Sequence, residues 1–395
     1  MKTAYFVGNS NNEPARIAYE LSKVVVNPIT LILIQPGKLN DPKELPYFRD
    51  FEQRIRILDL TPKDFGPFGM FTLFFNVNRI IQKDSVVIMN SFAPALVFKK
   101  QIKKIFFSTG TDVTSFANWK WASIDTKNDS YLIKLANFFL ALCKSFFVFL
   151  QRRSISSAVG IVAPKNTRDP LYDSVISTLY DTSKKRFSFQ FAQKLNILKS
   201  CTMPSNNPCI RVLVGCRLDD GLDYVEKHRS NFNDKNPSAI YAALKNFKTD
   251  LKIEFFFILK GNWALRFQEL EKISTENITY QAWDEMGYSE FYKLMNSSDI
   301  IIDSVGPSIP GRISIDALAL GKFLIVNSMD FDLKQHFNPH IYHATNADEV
   351  SKSLVRLLSG DLRKHRELCE HNINDSALFF SEEYISFLTF LRSLM

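Results

Sequence analysis

A chain of 395 residues is too long for one typical core and predicts two domains. Hydrophobic content of 46% and charged content of 23% are globular values, not those of a low-complexity chain. The formal charge of +8 is uneven: residues 1–203 carry 28 Lys and Arg against 15 Asp and Glu, and the remainder 21 against 26. The basic first half predicts an anionic partner, either nucleic acid or a membrane surface.

Five cysteines show neither metal-ligand spacing nor a disulfide framework, which fits a reducing cytosol. The N-terminus, MKTAYFVGNS, lacks the long apolar core of a signal peptide. Residues 5–8 predict a first buried strand, followed by a polar loop over 9–12, a helix over 13–25 and a strand over 29–34. This strand, loop, helix, strand order begins a parallel sheet. Another strand over 55–60 leads into GPFGMFTLFFNVNRII, where Phe68, Met70, Phe71, Phe74 and Phe75 crowd one segment. That segment reads as a core helix or as a lipid-facing one. Strands follow over 85–89 and 105–107, each preceded by a helix, with Lys99, Lys100, Lys103 and Lys104 clustered between them. Ser108 to Val113 then form a turn in which Asp112 either caps the next helix or does chemistry.

Residues 131–153 read YLIKLANFFLALCKSFFVFLQRR, close to membrane-spanning length but interrupted by Lys134, Asn137 and Lys144. The pattern suits an amphipathic helix in the membrane interface better than a span, with a buried domain helix as the bland alternative. Residues 159–163 predict the last strand of the first domain. A polar, proline-bearing linker over 194–208 places the boundary near 205, giving domains at 1–204 and 205–375 and a terminal helix over 376–395.

The second half opens with a strand over 210–215 that runs into Gly215-Cys216-Arg217. A helix over 237–247, a strand over 254–259 ending at Lys260-Gly261, a strand over 278–283 and a helix over 289–296 follow. Residues 298–328, SDIIIDSVGPSIPGRISIDALALGKFLIVNS, then organise the domain. The run Ile300-Ile301-Ile302 reads as a buried strand, and the prolines and glycines over 304–311 force a loop. Residues 313–320 have helical spacing, Gly321 stands where a helix end wants a left-handed residue, and residues 323–326 form another strand. The loop and helix N-terminus therefore lie at the carboxyl end of a parallel strand, where open α/β sheets bind ligands and helix N-termini favour phosphates.

This stretch resembles the nucleotide-sugar site of GT-B glycosyltransferases of the family 4 type. There, two glutamates with seven residues between them bracket the loop, and an A-x-x-x-G-K run follows. Here Asp316, in IDALALGK, holds the second acidic position, Ser308 holds the first, and Gly311 matches the loop glycine. The resemblance implies two Rossmann-like domains facing a central cleft, with the C-terminal helix crossing back to the first domain. It also implies that Arg217, aided by Lys260, meets the donor diphosphate. Gly110-Thr111-Asp112 resembles an acceptor-side turn, which makes Asp112 the candidate general base or acceptor-positioning group, with Asn9 and Gly110 beside it. All six histidines lie in the second half, so the histidine this family often places near the acceptor is absent.

No G-x-x-x-x-G-K-[ST], no early G-x-G-x-x-G, no H-E-x-x-H and no G-x-S-x-G is found, which disfavours P-loop nucleotidases, dinucleotide oxidoreductases, zincins and α/β-hydrolases. The expected function is therefore sugar transfer from a nucleotide-sugar to a glycan or lipid-linked acceptor in cell-surface polysaccharide synthesis. The family implies a retaining outcome, and no metal or cofactor is expected. A peripheral place on the inner face of an anionic cytoplasmic membrane is expected, and nucleic acid is not. Because Ser308 replaces an acidic residue, a non-catalytic sugar- or polymer-binding protein is the alternative. A DNA-binding GT-B enzyme is a third reading, motivated only by the basic first half.

Overall fold

Apolar runs rich in β-branched and aromatic residues, such as AYFV, ITLIL, VVIMN and FLIV, form strands whose side chains are buried. The computed structural model describes residues 2–8, 13–34, 41–45, 48–62, 67–108, 117, 131–163, 170–181, 184–188, 209–215, 236–258, 264–284, 286–306, 312–328, 341–361 and 382–395. The chain divides into two units, Met1–Phe189 with Ser381–Met395, and Gln190–Phe380.

Unit 1 contains β1 (Ala4–Val7), α1 (Glu13–Ser22), β2 (Ile29–Leu33), α2 (Phe48–Arg54), β3 (Ile55–Asp59), α3 (Pro67–Ile80) and β4 (Val86–Asn90). It continues through β5 (Lys103–Phe107), α4 (Tyr131–Ser156), β6 (Gly160–Val162), α5 (Pro170–Leu179) and β7 (Lys185–Phe187). The seven strands form one sheet in the order β3-β2-β1-β4-β5-β6-β7, and every pairing is parallel.

Unit 2 contains β8 (Ile210–Val214), α6 (Pro237–Lys245), β9 (Ile253–Ile258), α7 (Ala264–Lys272), β10 (Ile278–Trp283) and α8 (Tyr288–Ser297). Then come β11 (Ile300–Ile302), α9 (Arg312–Ala319), β12 (Phe323–Val326), β13 (Ile341–His343) and α10 (Ala347–Arg356). Its six strands run parallel in the order β10-β9-β8-β11-β12-β13. The last helix, α11 (Glu382–Leu394), belongs to unit 1: the rings of Phe187 and Phe387 meet edge-on at 5.2 Å, and Lys2 donates to the Leu394 carbonyl at 3.2 Å. Both sheets are thus the doubly wound, Rossmann-like kind, as expected.

Two local expectations are corrected. No helix precedes β5 among the described residues; Ala93–Leu96 makes a single 3-10 turn, because Pro94 sits at its start and few residues separate β4 from β5. The strand over 159–163 is not the last of its sheet, since β7 adds an edge beyond β6. Its three residues, KRF, include two that stay at least partly exposed, so no apolar run announces it. The edge strand of the other sheet, β13 with IYH, is equally brief.

Both sheets reverse direction once. In unit 1 the order turns between β1 and β4, where Val7 stands opposite Met89; in unit 2 it turns between β8 and β11, where Val214 stands opposite Ile302. At such points the crossovers leave to opposite faces and open a crevice beyond the carboxyl ends.

Candidate functional site at the unit 2 sheet edge

The crevice of unit 2 begins with Gly215, whose amide donates to the Ile302 carbonyl at 2.8 Å. A methyl group on Gly215 would stand 2.7 Å from Ile313 Cγ2, so glycine lets the first turn of α9 approach the end of β8. The approach matters because the first amides of a helix lack internal partners and point outward as anion donors.

Two carboxylates sit behind that helix start. Asp303 follows β11 and is fully buried; the Ser314 hydroxyl donates to its Oδ2 at 2.5 Å. Asp316, one turn along α9, is 1% exposed, and the Tyr288 hydroxyl at the start of α8 donates to its Oδ2 at 2.9 Å. Ser314 and Asp316 follow one another at spacing two on α9, so Asp303 and Tyr288 each fasten a different side of the helix. Each of these carboxylates accepts from a neutral hydroxyl, which fixes its orientation.

The rest of the edge is pinned by side chains. Asn327, just past β12, donates from its amide group to the Gly306 carbonyl at 2.7 Å, and its backbone amide donates to Ser304 at 2.8 Å. The Ser328 amide donates to His343 Nδ1 at 3.1 Å, which ties the end of β12 to β13. Gly321 ends α9 with φ of 66°, and Lys322 Nζ donates to the Asn296 carbonyl at 2.6 Å. The Gly-Lys pair therefore ties α9 to α8 rather than facing a ligand.

Of the predicted site residues, Asp316 alone lies among the described ones. Asn9, Gly110, Asp112, Arg217, Lys260, Ser308 and Gly311 lie outside them. Asp303, Ser314, Tyr288, Ser328 and His343 are additions that sequence reasoning missed. Asp303 had one signal, a carboxylate directly after a buried triple-isoleucine strand; Tyr288 had none.

The crevice of unit 1 has a matching construction. Gly8, with φ of 85°, follows β1, and a methyl group on it would meet Asn90 Oδ1 at 2.4 Å. Asn90 is fully buried, and neither atom of its amide group has a hydrogen-bond partner among the described residues. A buried amide without partners is costly, and such groups mark positions that a ligand or water completes. Arg16 and Glu13 are buried in the adjoining helix α1, 3.7 Å apart.

No protein-family model matches the chain, and no curated protein shows significant similarity to it. Solved structures do resemble it. Sucrose-phosphate synthase from Thermosynechococcus elongatus is 11% identical and superposes with a TM-score of 0.56 over 98% of this chain and all of that one. The lipopolysaccharide outer core galactosyltransferase WaaB in its apo form is 12% identical, with a TM-score of 0.51 over 97% of this chain and 99% of that one. A putative UDP-N-acetylglucosamine 2-epimerase from Listeria monocytogenes is 13% identical, with a TM-score of 0.50 over 93% and 90%. At these identities the likeness establishes the fold: two parallel-sheet, Rossmann-like units of the GT-B kind.

Proposed function

We propose that this protein is a glycosyltransferase that takes a hexose from a nucleotide-sugar held at the carboxyl edge of the unit 2 sheet. The observation that carries the reading is the buried carboxylate Asp316 on α9, oriented by Tyr288 and set behind a helix start that Gly215 draws toward the switch point. A carboxylate so placed accepts hydrogen bonds from the vicinal hydroxyls of a ribose, while the helix amides suit the diphosphate. Arg217 and Lys260 supply cations for the same diphosphate, Gly311 gives the loop room, and Ser308 takes the position of the first acidic residue. With two cations and a helix terminus available, the leaving diphosphate needs no metal ion.

The acceptor belongs to unit 1 in this reading, at the crevice of Gly8 and Asn90, with Asn9, Gly110 and Asp112 around it. Asp112 acts as general base or positions the acceptor hydroxyl. The acceptor is a glycan or a lipid-linked sugar of a cell-surface polysaccharide, the chemistry proceeds with retention, and the enzyme works in the cytoplasm against the inner membrane face. The lipopolysaccharide acceptor in the name of one structural neighbour supports this choice of acceptor class.

Thermal shift with UDP-, GDP-, dTDP- and CMP-sugars tests the donor assignment, because a ligand held by the folded state raises its melting temperature. A charge-assisted hydrogen bond contributes about 1.5–3 kcal/mol, so Asp316→Asn should weaken the responsive nucleotide roughly tenfold or more. Tyr288→Phe should lower stability by about 1 kcal/mol and leave nucleotide affinity within a few-fold. If both variants lose stability and neither loses affinity, Asp316 is a packing residue and the site lies elsewhere.

The second reading, a sugar-binding protein without catalysis, is favoured by one observation, the serine at position 308. Nucleotide-sugar binding without release of the nucleoside diphosphate in the presence of membrane extract would select it.

A further inference from the structure

Helices α3 and α4 contain no aspartate or glutamate, and both leave large rings uncovered. They pack side by side through Phe71, whose ring lies 5.7 Å from Phe146 and 5.3 Å from Phe147. Phe74 extends the contact to Phe98 at 6.4 Å. Beyond this seam the aromatic residues turn outward: Phe68 is 88% exposed, Phe75 67%, and Phe138 and Phe139 58% each. Phe98, Phe146 and Phe149 complete the set, and among the described residues no other phenylalanine is exposed. Ile133, Leu135 and Leu142 add aliphatic bulk to the same end of α4. A patch of this kind is far larger than the single exposed apolar residues found elsewhere on the surface.

The charged residues of these segments have one sign: Arg79 on α3, Lys99 and Lys100 after Phe98, and Lys134, Lys144, Arg152 and Arg153 on α4 are all basic, and Arg153 lies 5.6 Å above the Phe98 ring. A protein partner would have to match seven rings with a complementary acidic rim. A bilayer with anionic headgroups offers both features without further specificity.

Ile133–Ser156 is long and apolar enough to cross a membrane, and only 17% of its most apolar stretch is buried. Length decides how it sits. The end of α4 is locked into unit 1: Phe147, Val148 and Leu150 are buried, and Gln151 accepts from the Ala95 amide at 2.8 Å and donates to the Ser91 carbonyl at 2.9 Å. The stretch left outside runs from Ile133 to Phe146, which at ~1.5 Å per residue reaches only ~21 Å. That is well short of the ~30 Å hydrocarbon core. The helix can lie in the interface but cannot cross while unit 1 stays folded.

We propose that α3, Phe98 and the first half of α4 form a docking face that inserts unit 1 into the headgroup region of an anionic lipid bilayer. Docking needs neither donor nor acceptor. Joined to the transferase reading, on which this last step rests, it selects the lipid-linked acceptor over the soluble glycan.

Flotation of the purified full chain with vesicles of phosphatidylcholine alone, or with added phosphatidylglycerol, tests the face without any nucleotide. The chain should float with anionic vesicles at low salt and largely dissociate at high salt. Lys134→Glu with Arg153→Glu should weaken binding at least about thirtyfold, from two basic residues near an anionic surface. Phe68→Asp with Phe138→Asp should abolish it, with melting temperature unchanged because both side chains are exposed. A wild-type chain that does not float at low salt overturns the proposal, as does a Phe68/Phe138 double variant that floats equally well. A wild-type dimer that never floats, and that the same phenylalanine variant dissociates, would overturn it by assigning the face to a second copy. None of these outcomes touches the nucleotide thermal shift, so failure of one inference leaves the other measurable.

Discussion

Gly215 shows how much of the site depends on an absent side chain. Its added methyl would stand 2.7 Å from Ile313 Cγ2, closer than carbon atoms pack, so one of them must move. Gly215→Ala should cost about 1–3 kcal/mol, the usual range for overpacking, and should weaken nucleotide binding because α9 moves with Ile313. Ile313→Ala in the same chain should recover most of the loss, giving a favourable coupling in a double-mutant cycle read from urea midpoints. Simple additivity would show that the two residues do not crowd one another. Sequence reasoning reached Asp316 through the resemblance of IDALALGK to the GT-B donor motif, with helical spacing supplying only the helix that carries it. It did not reach Tyr288 or Asn90. Tyr288 meets Asp316 from another helix 28 residues earlier, and only the assembled sheet sets Asn90 against Gly8. Contacts across the sheet carry no local pattern.

Among the elements, α11 has the clearest energetic role. It is amphipathic, lies far along the chain from the rest of unit 1, and buries Phe387 completely against Phe187. Phe390 fills the space over Gly160, where a methyl group would stand 2.7 Å from its ring, and its centroid is 5.4 Å from that of Phe187. Phe387→Ala should therefore cost about 3–5 kcal/mol, the range for a buried phenylalanine whose cavity cannot close. The loss should appear as faster hydrogen exchange in β6 and β7 under native conditions. Equal exchange in those strands, with the loss confined to unit 2, would remove α11 from the core of unit 1. Helices and strands of this kind were legible where burial is one-sided or complete. The misses were β7 and β13, three residues each, and the helices α2, α5 and α7. Short edge strands are set by the neighbour they pair with, not by their own composition.

On the scale of the whole molecule, two units built on the same type of sheet differ in charge and in their sheet edges. The basic half of the chain builds most of unit 1, whose crevice holds a neutral amide; unit 2 is acidic, and its crevice holds buried carboxylates. Each unit has an apolar cluster of its own, one around Val212, Phe255 and Ile302, another around Val7, Val77 and Val87. That separation makes the division of labour testable by hydrogen exchange in the presence of the nucleotide-sugar that raises the melting temperature. At a hundred times its dissociation constant a ligand stabilises the state it binds by about 2.7 kcal/mol, so amides that exchange through opening of that state slow roughly a hundredfold. The slowing should fall on β8, β11 and α9, the three elements that meet at Gly215, and leave β1 and β4 near their unliganded rates. Protection confined to β1 and β4 would place the donor at the crevice of Gly8 and Asn90 and exchange the roles of the two units. Protection spread evenly over both sheets would mean that the donor stabilises the chain as one cooperative body. The first outcome would remove Asp316 from the donor; the second would leave its place to be decided by the nucleotide affinity of Asp316→Asn.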